Sequence, residues 1–222
     1  MARNINGYKN MSFDFLIFDL DGTLVNSQED LTFSVNCVRK DYGFEELSVE
    51  QVRSYLGSGM NALMRKTVPD ISSVSLQEIV EKFKFYYGQH LTDKTVLFEG
   101  VEEMLRALKS KKKAILSNKA EKFSCEILKR LNIFDYFIKV WGGDSIDVKK
   151  PDPRTVLDLI KLTKSDISKT VMIGDSANDF LVAKSAGIPS IAVLYGFSDK
   201  HQIKQHNPDF VVETARDIVD IV

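Results

Sequence analysis

An α/β fold is what this sequence predicts: an open parallel sheet covered by helices, interrupted near its start by an all-α insertion. Three observations carry it. Short apolar runs of strand length recur along the 222 residues, amphipathic stretches of helical length separate most of them, and this alternation lapses between residues 27 and 95. Strands alternating with helices make a parallel sheet, whose strands read as continuous apolar runs because both faces are covered.

Taken in order, the first dozen residues (MARNINGYKNMS) are polar and lack an apolar stretch, so a frayed leader is expected rather than a signal peptide or anchor. FDFLIFDL (13–20) predicts a buried strand ended by the Asp21-Gly22 turn. Helical patterns then follow one another at 28–42, 49–56, 60–67 and 75–91, with Ser27-x-x-Asp30 and Ser48-x-x-Gln51 as N-terminal capping patterns. Beyond these, strands are expected at KAIL (113–116), FIKVW (137–141), TVMI (170–173), SIAVL (190–194) and DFVV (209–212), and helices at 100–112, 120–131, 153–163 and 177–186. The expected division is a core of residues 1–26 and 96–222, with 1–12 as leader, and a helical cap of residues 27–95. Ligands of open α/β sheets bind outside the carboxyl ends of the strands, so an insertion directly after the first strand would cover the site.

Composition narrows the chemistry. Thirty basic against 31 acidic residues give a net charge of −1, which provides no field for nucleic acid or an anionic membrane. No run approaches the roughly 18–20 apolar residues of a membrane span. Cys37 and Cys125 lack a C-x-x-C spacing, so a disulfide framework or zinc site is not expected and a reducing cytoplasm fits. His90, His201 and His206 offer neither a Ser-His-Asp relay nor an H-E-x-x-H pair. Polar chemistry is expected to rest on carboxylates.

Four segments could supply it. Asp19-Leu-Asp21-Gly-Thr23 ends the first strand, where side chains two apart point the same way and paired carboxylates call for a hard cation such as Mg²⁺. Gly174-Asp175-Ser-Ala-Asn-Asp179 follows TVMI and adds two acids at another strand end. Ser117-Asn118 after KAIL offers neutral donors suited to phosphate oxygens, and Lys149-Lys150-Pro151 offers cations. Each has a plainer account alone: a D-G turn, an acid favoured by a helix N-terminus, a helix-entry turn, a solvated basic loop. Gly57-Ser-Gly59-Met-Asn-Ala62 imitates a dinucleotide fingerprint but lacks the preceding strand that fingerprint requires. It reads either as a flexible turn approaching the substrate or as a helix–helix corner. FKFYY (83–87), Trp141 and the methionines read as packing.

In order and approximate spacing, DLDGT (19–23), Ser117, Lys150 and GDSAND (174–179) resemble the four motifs of the haloacid dehalogenase superfamily of phosphohydrolases, and residues 27–95 resemble its α-helical cap. The opening FDLDGTLVNSQEDLTFSVN is similar to that of members acting on phosphoglycolate. The resemblance implies a Rossmann-like core and a Mg²⁺-dependent phosphatase for a small phosphorylated metabolite, with 2-phosphoglycolate the leading candidate. It makes Asp19 the nucleophile that forms an aspartyl-phosphate and Asp21 the general acid and base. Asp19, the Asp21 carbonyl and Asp175 would hold the metal, with Asp179 supporting. Ser117 and Lys150 would bind phosphate, with Thr23 and Asn118 close by. Lys149 duplicates the third-motif cation; Lys150 is taken because it directly precedes Pro151. The expected partner is the small substrate alone, met by a monomer or homodimer, without nucleic acid or membrane. A phosphosugar mutase keeps the same chemistry with another acceptor; a phospho-acceptor signalling module would lack both the insertion and Asp21.

Overall fold

The structure, a computed structural model, describes residues 3–4 and 12–222. Its strands are β1 (Arg3–Asn4), β2 (Phe15–Phe18), β3 (Val25–Asn26), β4 (Val96–Leu97), β5 (Lys112–Leu116), β6 (Lys139–Trp141), β7 (Thr170–Gly174), β8 (Ser190–Val193) and β9 (Phe210–Val212). Its helices are α1 (Gln28–Asp41), α2 (Val49–Arg53), α3 (Met60–Thr67), α4 (Leu76–Gln89), α5 (Val101–Ala107), α6 (Glu121–Arg130), α7 (Arg154–Thr163), α8 (Ala177–Ala186) and α9 (Lys200–Gln205).

The main sheet runs β1-β9-β8-β7-β2-β5-β6, parallel except for β1 against β9. After β2 the chain builds outward through β5 and β6, then returns to the other side of β2 for β7, β8 and β9. The order therefore reverses between β2 and β7, where ligand sites of such sheets form. Register fixes the level of the rim: Phe18 lies opposite both Ile115 and Ile173, so residues just beyond all three meet at one edge. Asp19 follows the first, Ser117 the second and Asp175 the third.

Alternation along β2 splits its side chains between two cores. Leu16 and Phe18 pack with the α5 and α6 side chains Met104, Leu105, Ile127 and Leu128, whereas Phe15 and Ile17 pack with Val156 and Leu159 of α7 and Val182 of α8. All four β2 residues are buried, and each such side chain contributes about 1.5–3 kcal/mol. Trp141 packs in the second core, as expected.

The two passages to and from α1–α4 are tied by the antiparallel pair β3 and β4. Within the helical segment Leu31, Val35 and Val38 share one face of α1, and Ile79, Val80, Phe83 and Tyr87 share one of α4; both stripes are buried in the first core. Ser48 and Gln51 form the expected reciprocal cap, with Gln51 N donating to Ser48 Oγ (3.2 Å) and Ser48 N to Gln51 Oε1 (2.8 Å). Ser27 and Asp30 do not. Asp30 is buried and accepts from Lys94 N (3.0 Å), Thr95 N (2.8 Å) and Thr95 Oγ1 (2.6 Å), tying the exit of the segment to its entry. Three donors converging on one buried carboxyl outweigh a local cap.

The expected leader falls mostly outside the described residues, although Arg3–Asn4 pair with β9 as an edge strand, which a frayed segment would not do. The helix α9 has six residues, too few to show a period, and β3 and β4 have two each. Among the described residues no helix is long and apolar enough to cross a membrane.

Candidate active site

Asp19 leaves β2 at the rim and is buried. Lys150 Nζ lies 3.0 Å from its Oδ1 and donates to Asp179 Oδ1 at 2.6 Å. The first contact is a charge pair outside hydrogen-bond geometry, so among the described residues Asp19 Oδ1 has no hydrogen-bond partner. Asp179 reaches Lys150 from the first turn of α8, and its Oδ2 accepts from Ser176 N (3.0 Å) and Oγ (2.7 Å). Gly174 permits that approach, since a Cβ there would lie 2.3 Å from the Asp179 carboxyl carbon. Asp175, buried at the end of β7, accepts from Phe197 N (2.7 Å) and Ser198 N (3.3 Å) through Oδ2. Gly22 and Gly196 pack on Asp175 so closely that a Cβ on either would lie 2.4 Å from one of its side-chain atoms. Gly22 also has φ +82°, so two independent demands require glycine.

This cluster is short of positive charge. Asp19, Asp175 and Asp179 each offer an oxygen within 4.8 Å of the others, whereas the buried cation Lys150 pairs with Asp19 and Asp179. Burial pushes Asp19 up to about 6, with Lys150 pulling it down and Asp179 pushing it further up. Burial, then the charges of Asp179 and Asp19, hold Asp175 well above the usual carboxylate range. Lys150 stays above its ordinary value because Asp179 and Asp19 outweigh the effect of burial. An all-oxygen donor set, excess negative charge and the orphaned Asp19 Oδ1 fit a hard divalent cation. Both Asp179 oxygens are already bonded, so the capacity to bind one lies with Asp19 and Asp175.

Asp21 has different company. Its Oδ1 accepts from Ser27 Oγ (2.5 Å) and pairs with Lys119 Nζ (3.0 Å). Lys119 also donates to Tyr87 Oη of α4 (2.5 Å). Lys119 had no place in the sequence reading, although it directly follows Ser117-Asn118. Tyr87 was expected only to pack, and its ring does stack on Phe83 at 5.4 Å; its hydroxyl does more.

A cavity of about 760 Å³ opens over these groups. Asp19, Asp21, Ser117, Asn118, Lys119 and Asp175 line its floor; Arg53, Gly57, Gly59, Phe83 and Tyr87 come from the helical segment; Phe197 to Gln202 come from the loop after β8 and the start of α9. The Gly57–Gly59 turn is thus a cavity wall joining α2 to α3, with no strand before it. Gly57 O accepts from Asn118 Nδ2 (2.9 Å) and Asn178 Nδ2 (3.1 Å), which clips the turn to the core. Lys149 is exposed, so Lys150 is the lysine placed against Asp19. Thr23 is not brought to the cavity wall: its side chain is fully buried and its carbonyl accepts from Tyr195 Oη (3.0 Å). The Gly196 loop escaped the sequence reading; a glycine closely following SIAVL was its only signal.

The family model for haloacid dehalogenase-like hydrolases matches residues 16–193. Phosphoglycolate phosphatase of Vibrio parahaemolyticus is 34% identical over 216 residues, 93% of this chain and 95% of its own. That of Aquifex aeolicus is 33% identical over 209 residues, with the same coverage. A crystal structure described as a predicted phosphoglycolate phosphatase from Haemophilus somnus superposes with TM-score 0.90 at 32% identity, covering 94% of this chain and 97% of its own. A family-model match over residues 16–193, with relatives at least 33% identical along most of the chain, makes this protein a member of the haloacid dehalogenase-like hydrolase family.

Proposed function

We propose that this hydrolase is a Mg²⁺-dependent phosphatase acting on a small phosphorylated metabolite, with 2-phosphoglycolate the leading candidate, through an aspartyl-phosphate on Asp19. The observation that carries the reading is Asp19 itself: a carboxylate at the switch point of the sheet, lining the cavity, with Lys150 beside it and one oxygen left without a hydrogen bond. The names of the relatives support the substrate.

In the first half-reaction an Asp19 oxygen bonds to phosphorus, the bond from phosphorus to the leaving oxygen breaks, and Asp21 gives that oxygen its proton. In the second, Asp21 takes a proton from water as the water oxygen bonds to phosphorus, and the bond to Asp19 breaks to release phosphate. Ser117 Oγ donates to a phosphoryl oxygen from the cavity floor, Asn118, whose side-chain amide is held by Gly57 O and Lys150 O, contributes its backbone N–H, and Lys150 keeps Asp19 in place. Asp19, Asp175 and the Asp21 carbonyl would hold Mg²⁺, supported by Asp179. Bound there, the cation offsets the repulsion between an anionic nucleophile and an anionic phosphoryl group. Residues 27–95 act as a cap that excludes water and selects the leaving group. The unpaired Cys37 and Cys125 support a reducing, cytoplasmic setting.

A phosphate-release screen with Mg²⁺ over phosphoglycolate, hexose phosphates, nucleotides and pyrophosphate tests the reading. The highest kcat/KM is expected with 2-phosphoglycolate, and no release from Asp19→Asn. Wild-type-like release from that variant would remove Asp19 as nucleophile, and preference for another ester would replace the substrate.

A further inference from the structure

We propose that Lys119 is a positioning residue: seated by the Tyr87 hydroxyl, it fixes the Asp21 carboxyl for proton transfer, so that acid catalysis depends on α4 being docked against the core. The proposal rests on Asp21 being the general acid and adds what holds it ready.

Three segments distant in the chain meet here. Lys119 is a largely buried residue of the cavity floor, with its Nζ 3.0 Å from Asp21 Oδ1 and 2.5 Å from Tyr87 Oη. Ser27 Oγ donates to the same Asp21 oxygen from the entry to α1. Both contacts converge on Oδ1, leaving Oδ2 without a partner among the described residues and Asp21 on the cavity wall. A carboxyl with one oxygen gripped twice cannot rotate freely, so the other is the one presented to a leaving group. Placing an acid correctly before reaction is a large part of its value.

Tyr87 is itself fixed. It stacks on Phe83 (5.4 Å, 16°), meets Phe123 of α6 edge-on (5.3 Å, 83°) and is buried. Burial pushes the Tyr87 hydroxyl up to about 12, which keeps it protonated as an acceptor for the ammonium. Burial alone would push Lys119 down, but Asp21 and Tyr87 keep it above its ordinary value. The arrangement is therefore a charged tether from α4 to the candidate acid, and undocking α4 would take away one of its supports.

Two esters separate positioning from packing. An alkyl ester such as 2-phosphoglycolate needs its leaving oxygen protonated, whereas the phenolate of p-nitrophenyl phosphate departs without a proton. Since kcat/KM reports events up to the first P–O cleavage, Lys119→Met is expected to lower it about 100-fold for the alkyl ester and less than about threefold for the aryl ester. Tyr87→Phe, which keeps the stacked ring, should show the same pattern at about tenfold. In an Asp21→Asn background, adding Lys119→Met should cost the alkyl ester no more than about twofold, because the group it positions is gone. Equal losses on both esters, or an undiminished loss in the Asp21→Asn background, would overturn the proposal. If Asp21→Asn alone lowers both esters equally, the acid assignment falls and takes the proposal with it, while the nucleophile reading stands or falls separately on Asp19→Asn.

Discussion

Asp19 and Asp21 are two residues apart on one strand end, yet their surroundings share almost nothing. Asp19 faces Lys150, Asp175 and Asp179, all from the carboxyl edge of the sheet and the loops that leave it. Asp21 faces Ser27, Lys119 and Tyr87, the last from the helical segment. The first group is a self-contained electrostatic cluster, short of positive charge; the second is a joint between the sheet's edge and the helical segment. Two carboxylates in such different settings suit different roles, one attacking and one moving protons. Seating the second partly on α4 makes its competence depend on docking.

The largest expected effect breaks the comparison at its root. Asp19→Asn should lower turnover by more than about 10⁴-fold, as for loss of a covalent nucleophile, with the fold preserved by circular dichroism. Asp21→Asn should cost about 10²–10⁴-fold by the same assay, in keeping with loss of acid–base catalysis. Lys150→Met removes the buried cation from two carboxylates and should destabilise the chain by about 3–5 kcal/mol in urea denaturation, beyond its effect on activity. Asp175→Asn should raise the Mg²⁺ concentration for half-maximal activity about 10–100-fold, and an unchanged requirement would remove it from the metal site.

A pH experiment sharpens the same contrast. Asp19 is pushed up from an ordinary 3.8 to about 6, so the folded chain binds more protons there than the unfolded chain. That contribution is full below 3.8 and is lost as pH rises through about 6. A cation relieves the loss, so Mg²⁺ should raise Tm more at a pH well above 6 than at one below it. An equal shift on both sides would deny the link between the cluster and the metal. The smallest effect belongs to the clip on the cap: Asn178→Ala removes one of two bonds to Gly57 O, worth about 1 kcal/mol. KM should rise up to about fivefold with kcat nearly constant.

The same contrast explains what could be read from the sequence. Asp19 and Asp175 sit just beyond strands, Lys150 in the loop after β6 and Asp179 in the first turn of α8, and an acid directly after an apolar run is conspicuous. Alternation along β2 and register with β5 and β7 then bring Asp19, Ser117 and Asp175 together almost automatically. Nothing local marks Tyr87 as more than a packing aromatic, or separates Lys119 from any lysine at a helix entry. Their meeting depends on how α4 docks, which is tertiary. Ser27 and Asp30 show the reverse error: a good local capping pattern was overridden because both side chains are buried beside stronger partners. Thr23 likewise belongs to a recognisable motif, yet its hydroxyl faces the interior instead of the cavity.

The central claim is covalent chemistry at Asp19, and the most direct test is to catch it. The enzyme is mixed with 2-phosphoglycolate and Mg²⁺, quenched in acid within one turnover, digested and examined by mass spectrometry. The account predicts the mass of one phosphoryl group on the peptide carrying Asp19, present in the wild type and missing from Asp19→Asn. Phosphate released at full rate with no labelled peptide, or a label on any other residue, would contradict it.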